Sequence, residues 1–118
     1  MAIHNQVGKD GEKLAAEYLL KKGYEILQRN WRFSYYEIDI IARKGNKLHI
    51  VEVKCLNETS PGLPEESVTK KKFKRLLNAA DEFLYQHPEY KHVQYDIVSI
   101  TLRKDGEHEY FLIEDVYL

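Results

Sequence analysis

Glu37-Ile38-Asp39-Ile40-Ile41-Ala42, then Lys44-Gly45-Asn46-Lys47, then Leu48-His49-Ile50-Val51-Glu52-Val53-Lys54 is the stretch that decides how this chain reads. Two apolar, β-branched runs flank a Gly-Asn pair, the pattern of a β-hairpin with a two-residue loop. With Gly45 and Asn46 as the loop, Asp39 faces Glu52 and Glu37 faces Lys54. Strand side chains alternate between faces. Glu37, Asp39, Glu52 and Lys54 therefore share one face with Ile41, Leu48 and Ile50, while Ile38, Ile40, Val51 and Val53 share the other.

A strand apolar on both faces is ordinarily covered on both. Three carboxylates and a lysine set into such strands lose hydration and need partners, a metal ion or a shifted pKa. The pattern alone admits two readings. One is a half-buried salt-bridge cluster with no role in catalysis. The other is a metal-dependent active site.

The rest of the chain bounds the choice. Its 118 residues suit one domain with one core, and residues 1–118 are read as a single unit. With 43% hydrophobic and 31% charged residues the composition is globular. The net charge of −1 is no polycation signature, so nucleic-acid binding would need a local patch. The single cysteine, Cys55, excludes an intrachain disulfide and a cysteine-based zinc site. It follows Lys54 and is expected to face away from the charges as a small packing residue. No apolar run approaches the ~18 residues of a membrane span, and the N-terminus lacks signal-peptide architecture. A soluble, cytoplasmic protein without a membrane partner is expected.

Asn5 to Lys22 reads as a helix, because Leu14, Ala15, Tyr18 and Leu19 recur at helical spacing and Gly23 suits its C-terminal cap. Glu12 stands at the N-terminal end of that apolar stripe, where a helix start favours a carboxylate on its own account. Gly8 and Gly11 either permit close backbone approach or are simply weak helix positions. Tyr24 to Phe33 is a candidate strand. The aromatic residues from Trp31 to Tyr36 are read as core or rim packing before base-stacking surfaces. Leu56 to Pro64 reads as a loop leaving the charged end of the hairpin.

A second helix is expected to begin between Pro64 and Ser67 and to stop at His87-Pro88. Lys72 borders its buried stripe of Val68, Phe73, Leu76 and Phe83. Lys70, Lys71, Lys74 and Arg75 make its first half basic, either a solvated face or a phosphate-contacting patch. Val93 to Leu102 and Tyr110 to Tyr117 form a second hairpin around Lys104-Asp105-Gly106. Asp96, within the first of these runs, reads as a structural ion pair. The order α, three strands, α, two strands gives an α/β domain with a small mixed sheet flanked by helices.

Asp39 and Glu52, with backbone carbonyls and water, suit Mg²⁺, a hard cation that prefers oxygen ligands, with Mn²⁺ as a substitute. Such an ion polarises a phosphoryl oxygen and acidifies a bound water, and Lys54 beside it would stabilise developing charge. These are the parts that phosphodiester hydrolysis requires. The histidines show no zinc spacing, and nucleophile-elbow and phosphate-loop motifs are absent.

The arrangement of Asp39 followed by Glu52-Val53-Lys54 resembles the PD-(D/E)xK, restriction-endonuclease-like superfamily, whose core is αβββαβ. The nearer resemblance is to the YraN family of uncharacterised endonuclease-like proteins, themselves similar to archaeal Holliday-junction resolvases. It is carried by Gly8-Lys9-Asp10-Gly11-Glu12, Gly23-Tyr24, Arg29-Asn30-Trp31-Arg32, the two hairpin strands, Val68-Thr69 with Lys72 and Leu76, and Tyr95-Asp96-Ile97-Val98. The resemblance implies that Asp39 and Glu52 are metal ligands, Lys54 the catalytic lysine, Glu12 an additional acid at the metal, and Lys72 a phosphate contact. It implies DNA as the partner, branched DNA included. Two positions depart from it. Tyr36 stands where glycine is usual, and Leu56 where a basic residue is usual, both at the mouth of the site. The alternatives are a nucleic-acid-binding module that keeps this fold without turnover, and a protein-interaction domain whose charges are structural. Two-fold pairs are the commonest homo-oligomers, so a homodimer is compatible, with no stretch marking its interface.

Overall fold

The computed structural model describes the backbone of residues 2–57 and 69–116, with side chains from Gly11 onward. In chain order the elements are α1 (Ala2–Lys21), β1 (Glu25–Phe33), β2 (Tyr36–Lys44), β3 (Lys47–Asn57), α2 (Lys70–Gln86), β4 (His92–Leu102) and β5 (Glu109–Ile113). The strands form one mixed sheet in the order β1-β2-β3-β4-β5. Among the described residues only β3 and β4 pair in parallel. A parallel pair needs a crossover connection, and α2 lies in that connection. The expected α/β architecture, with an αβββαβ core and one further strand, is the one observed.

The helices cover opposite faces. Leu19 and Ala15 of α1 pack on Ile40, Val51 and Val98, while Phe73, Leu76 and Phe83 of α2 pack on Ile41, Ile50 and Ile97. This double cover is why Ile40, Ile41 and Ala42 are all fully buried in consecutive positions. Helix α1 ends as its sequence suggests. Gly23 takes φ +93°, and the N–H groups of Gly23 and Tyr24 donate to the carbonyls of Leu20 and Leu19 at 3.1 and 3.0 Å. This Schellman pattern satisfies carbonyls the helix leaves open.

The hairpin has the expected loop and register. Gly45 adopts φ +63°, Lys44 pairs with Lys47, and the ladder runs to Ile40 opposite Val51. There it stops, so the pairings of Asp39 with Glu52 and of Glu37 with Lys54 are not made. Glu37 instead pairs with Arg32 of β1. Strict alternation also fails here, because Ile38 joins the core under α2 whereas Ile40 joins the one under α1. The register with β1 is the same on both sides of this point, Arg29 opposite Ile40 and Trp31 opposite Ile38. Both strands therefore share the irregularity, and between those two pairs Asn30 takes φ +53°. Asparagine tolerates that left-handed conformation better than most side chains.

Three expected boundaries move. Strand β3 continues through Leu56 to Asn57, because β4 supplies partners as far as Leu102. Helix α2 starts at Lys70, with the Thr69 hydroxyl accepting from the Lys72 N–H. The start anticipated between Pro64 and Ser67, together with Val68, lies outside the described residues. Strand β5 ends at Ile113. Beyond it Asp115 takes φ +58°, and Val116 donates its N–H to the Tyr95 carbonyl at 2.7 Å, so the chain leaves the ladder.

Asp96 accounts for that departure. It is 1% exposed and meets His49 Nδ1 at 2.6 Å, the Gln94 amide at 2.8 Å and the Asp115 N–H at 3.0 Å. One buried carboxylate thus ties β3, β4 and the C-terminal segment together. Removing one member of a buried hydrogen-bonded group is costly because its partners stay buried without it. Asp96→Ala is expected to lower the unfolding free energy by about 3 kcal/mol in urea titration.

Candidate active site

Asp39 sits where the hairpin ladder ends. Its Oδ2 accepts the Val53 N–H at 2.9 Å, so a side chain takes the place of the carbonyl that would have continued the ladder. The Glu52 carboxylate acts on Asp39 by repulsion, second only to burial in raising its carboxyl.

Glu12 arrives from α1. Its carboxylate, with those of Glu37 and Asp39, forms a group whose nearest oxygens all lie within 4.8 Å of one another. The approach depends on Gly11. A Cβ there would stand 2.1 Å from the Cys55 Sγ, so only glycine lets the helix come this close to β3. Cys55 was expected to face away from the charges. Instead Asp39 and Glu12 both act on its thiol, which burial above all pushes up. The irregularity at Ile38–Ile40 explains the difference, since Asp39 no longer keeps the face that regular alternation would assign.

On the other side, Glu52 lines a cavity of about 290 Å³ with Tyr35, Tyr36, Glu37, Lys72, Arg75 and Leu76. Lys72, Arg75 and Leu76 are three and four apart on α2 and so share one face. Lys70, Lys71 and Lys74 are exposed and do not line this cavity. Lys54 is half-buried in β3, and its charge draws the Glu52 carboxyl downward, as does Lys72. Tyr36 forms part of the cavity wall, and Leu56 is half-buried opposite Thr101. Sequence reasoning gave Glu37 no role. Its spacing of two from Asp39 was the available signal, but the expected pairing with Lys54 pointed elsewhere.

The model of the uncharacterised protein family UPF0102 matches residues 11–100, a span that includes Glu12, Glu37, Asp39, Glu52, Lys54, Lys72 and Arg75. The chain belongs to the UPF0102 family. It is 42% identical to a UPF0102 protein of Flavobacterium psychrophilum over 118 residues, covering 99% of this chain and 98% of that protein. It is 40% identical to one of Phocaeicola vulgatus over 116 residues, covering 98% and 93%. A relative in Bacteroides thetaiotaomicron is 41% identical over 116 residues.

The electrostatics of this UPF0102 site are unbalanced. Burial pushes the Asp39 carboxyl up to about 8, with repulsion from Glu52, Glu12 and Glu37 adding to it and the Val53 N–H opposing. Burial also raises Glu52, against the pull of Lys72 and Lys54. A carboxyl raised on folding stabilises the fold below its unfolded value near 4. That contribution is lost as pH climbs through the folded value, so the metal-free protein should lose stability between about pH 5 and 8. Asp39→Asn keeps an acceptor for Val53 without the charge. It should raise the thermal midpoint at pH 8 by about 4 °C or more, corresponding to about 1 kcal/mol, and abolish any stabilisation by Mn²⁺, both measured calorimetrically.

The Gly11 contact gives a second expectation. In a helix interior Gly→Ala ordinarily stabilises by about 1 kcal/mol. Here Gly11→Ala should destabilise by about 1–3 kcal/mol through overpacking. In a Cys55→Ala background the nearest remaining atom is the residue-55 Cβ at 3.8 Å, an ordinary contact. The same substitution should then become neutral or stabilising, a reversal of sign visible in thermal unfolding.

Proposed function

We propose that this UPF0102 protein is a metal-dependent endonuclease that hydrolyses DNA phosphodiester bonds, with branched DNA among its substrates, as its resemblance to the YraN family and PD-(D/E)xK nucleases implies. The observation that carries the reading is the convergence of Glu12, Glu37 and Asp39 within 4.8 Å, from a helix and a strand far apart in sequence, with Glu52 near enough to repel Asp39. The donor set is entirely carboxylate, which fits Mg²⁺ or Mn²⁺ better than zinc. The raised Asp39 and Glu52 carboxyls fit as well, because a cation would replace the proton that now relieves their repulsion.

A divalent ion bound there supplies polarisation of a phosphoryl oxygen and acidification of a water. The chain's own groups do the rest. Asp39 and Glu52 would hold the ion, Asp39 being fixed by the Val53 N–H, and Glu12 and Glu37 would offer further oxygens to it or its waters. Lys54 places a positive charge next to Glu52, where it can offset charge building on the phosphoryl group. Lys72 and Arg75, which line the same cavity as Glu52, would hold the phosphate in place.

A cleavage panel of linear, single-stranded and four-way-junction DNA with Mg²⁺ or Mn²⁺ tests the reading. Cleavage of at least one substrate, falling to background in Asp39→Ala and in Lys54→Ala, is expected. If clean protein cuts none of them yet binds DNA in a salt-sensitive manner that Lys72→Ala weakens, the chain is a binding module on a nuclease fold.

A further inference from the structure

We infer that the turn between β1 and β2 is a stacking site for an unpaired nucleobase, with Tyr35 as the platform, so that the ligand of this face is single-stranded or flapped nucleic acid rather than uninterrupted duplex. The inference rests on the nuclease reading above and narrows its substrate class.

The turn is tight. Phe33 pairs with Tyr36 across it, and Ser34 holds φ +57°, a left-handed conformation uncommon for a non-glycine residue. At its tip Tyr35 is 97% exposed, so the ring does not serve the core. The strand behind it is well anchored. Trp31 meets Phe83 of α2 edge-on, with ring centroids 5.4 Å apart, and Phe33 stacks on Trp31 at 6.5 Å. A rigid stem thus presents an aromatic ring to solvent.

The surroundings of that ring fit a polynucleotide. Tyr35 and Tyr36 wall the cavity that holds Glu52, Lys72 and Arg75. They also wall a second cavity of about 340 Å³, lined by Arg32, Ser34 and Glu37. Glu37 belongs to both, and its carboxylate converges with those of Glu12 and Asp39. A strand whose phosphate lies at the acids therefore passes the tyrosines within a nucleotide or so, with cations on both sides. Arg32 is bonded to Glu37 at 3.5 Å, but both side chains are substantially exposed, and such a pair exchanges readily for a phosphate.

Charge and ring geometry together select the ligand. At a net charge of −1, counterion release from a few local cations gives weak binding to a duplex backbone. Stacking on an exposed ring adds affinity independent of net charge. It requires a free base face, which paired bases within a helix do not offer and unpaired ones do.

The test uses the intact chain in EDTA, so that nothing is cut. The probes are a single-stranded oligonucleotide carrying 2-aminopurine, the same strand as a 5′ flap, and the blunt duplex. Tyr35→Ala should weaken single-strand and flap binding about tenfold and abolish the 2-aminopurine quenching. Tyr35→Phe, which keeps the ring, should retain both, and duplex binding should change less than about twofold. Wild-type-like single-strand binding by Tyr35→Ala overturns the inference and leaves the nuclease reading standing. Equal losses on duplex and single strand overturn it too. Failure of the wild type to bind any probe, in EDTA or with Mn²⁺, overturns the inference together with the nuclease reading.

Discussion

The hydrogen bond from the Val53 N–H to the Asp39 carboxylate is the constraint on which the rest of the site depends. An antiparallel ladder runs on as long as carbonyls face N–H groups, and here a side chain substitutes for a carbonyl. The bond keeps Val53 satisfied while ending the pairing of β2 with β3 one residue short of Glu52. It also holds a carboxylate among apolar strands, where water cannot hydrate it fully. The repulsion between Asp39 and Glu52 and the convergence with Glu12 both follow from that placement.

Two acids in the same sheet, Asp96 buried and Asp39 half-buried, differ in how the protein satisfies them. Asp96 has a histidine, an amide side chain and a backbone N–H aimed at it, so its oxygens are fully occupied by the protein. Asp39 has one backbone donor and three neighbouring acids that repel it. The first arrangement is complete without any ligand. The second leaves Asp39 under net repulsion, which is what the proposed cation would relieve.

The two helices bring the remaining groups from opposite faces, and each is limited by packing. On α1 the limit is atomic. Gly11 lies against the Cys55 sulfur, and the absence of a single Cβ sets how closely Glu12 approaches the strands. On α2 it is rotational. Phe73, Leu76 and Phe83 seat the helix on Ile41 and Ile50, which turns Lys72 and Arg75 toward Glu52. The tertiary core therefore determines the electrostatics of the site as well as its stability.

The element order, the hairpin loop and its register were legible in the chain itself, because a Gly-Asn pair between β-branched runs and a glycine after an amphipathic helix act through neighbours in sequence. The conspicuous position of Glu12 at the start of an apolar stripe was legible for the same reason. Other features were not. That Ile38 and Ile40 serve different cores, that Cys55 lies beside the acids, and that Glu37 joins Glu12 and Asp39 rather than facing Lys54 all depend on the irregularity shared by Asn30 and Asp39 and on the Gly11 contact. Sequence periodicity describes one ideal strand or helix at a time. Where a carboxylate interrupts the ladder and two elements close to contact distance, the positions of side chains are decided by atoms from distant parts of the chain, and only the tertiary structure contains those distances.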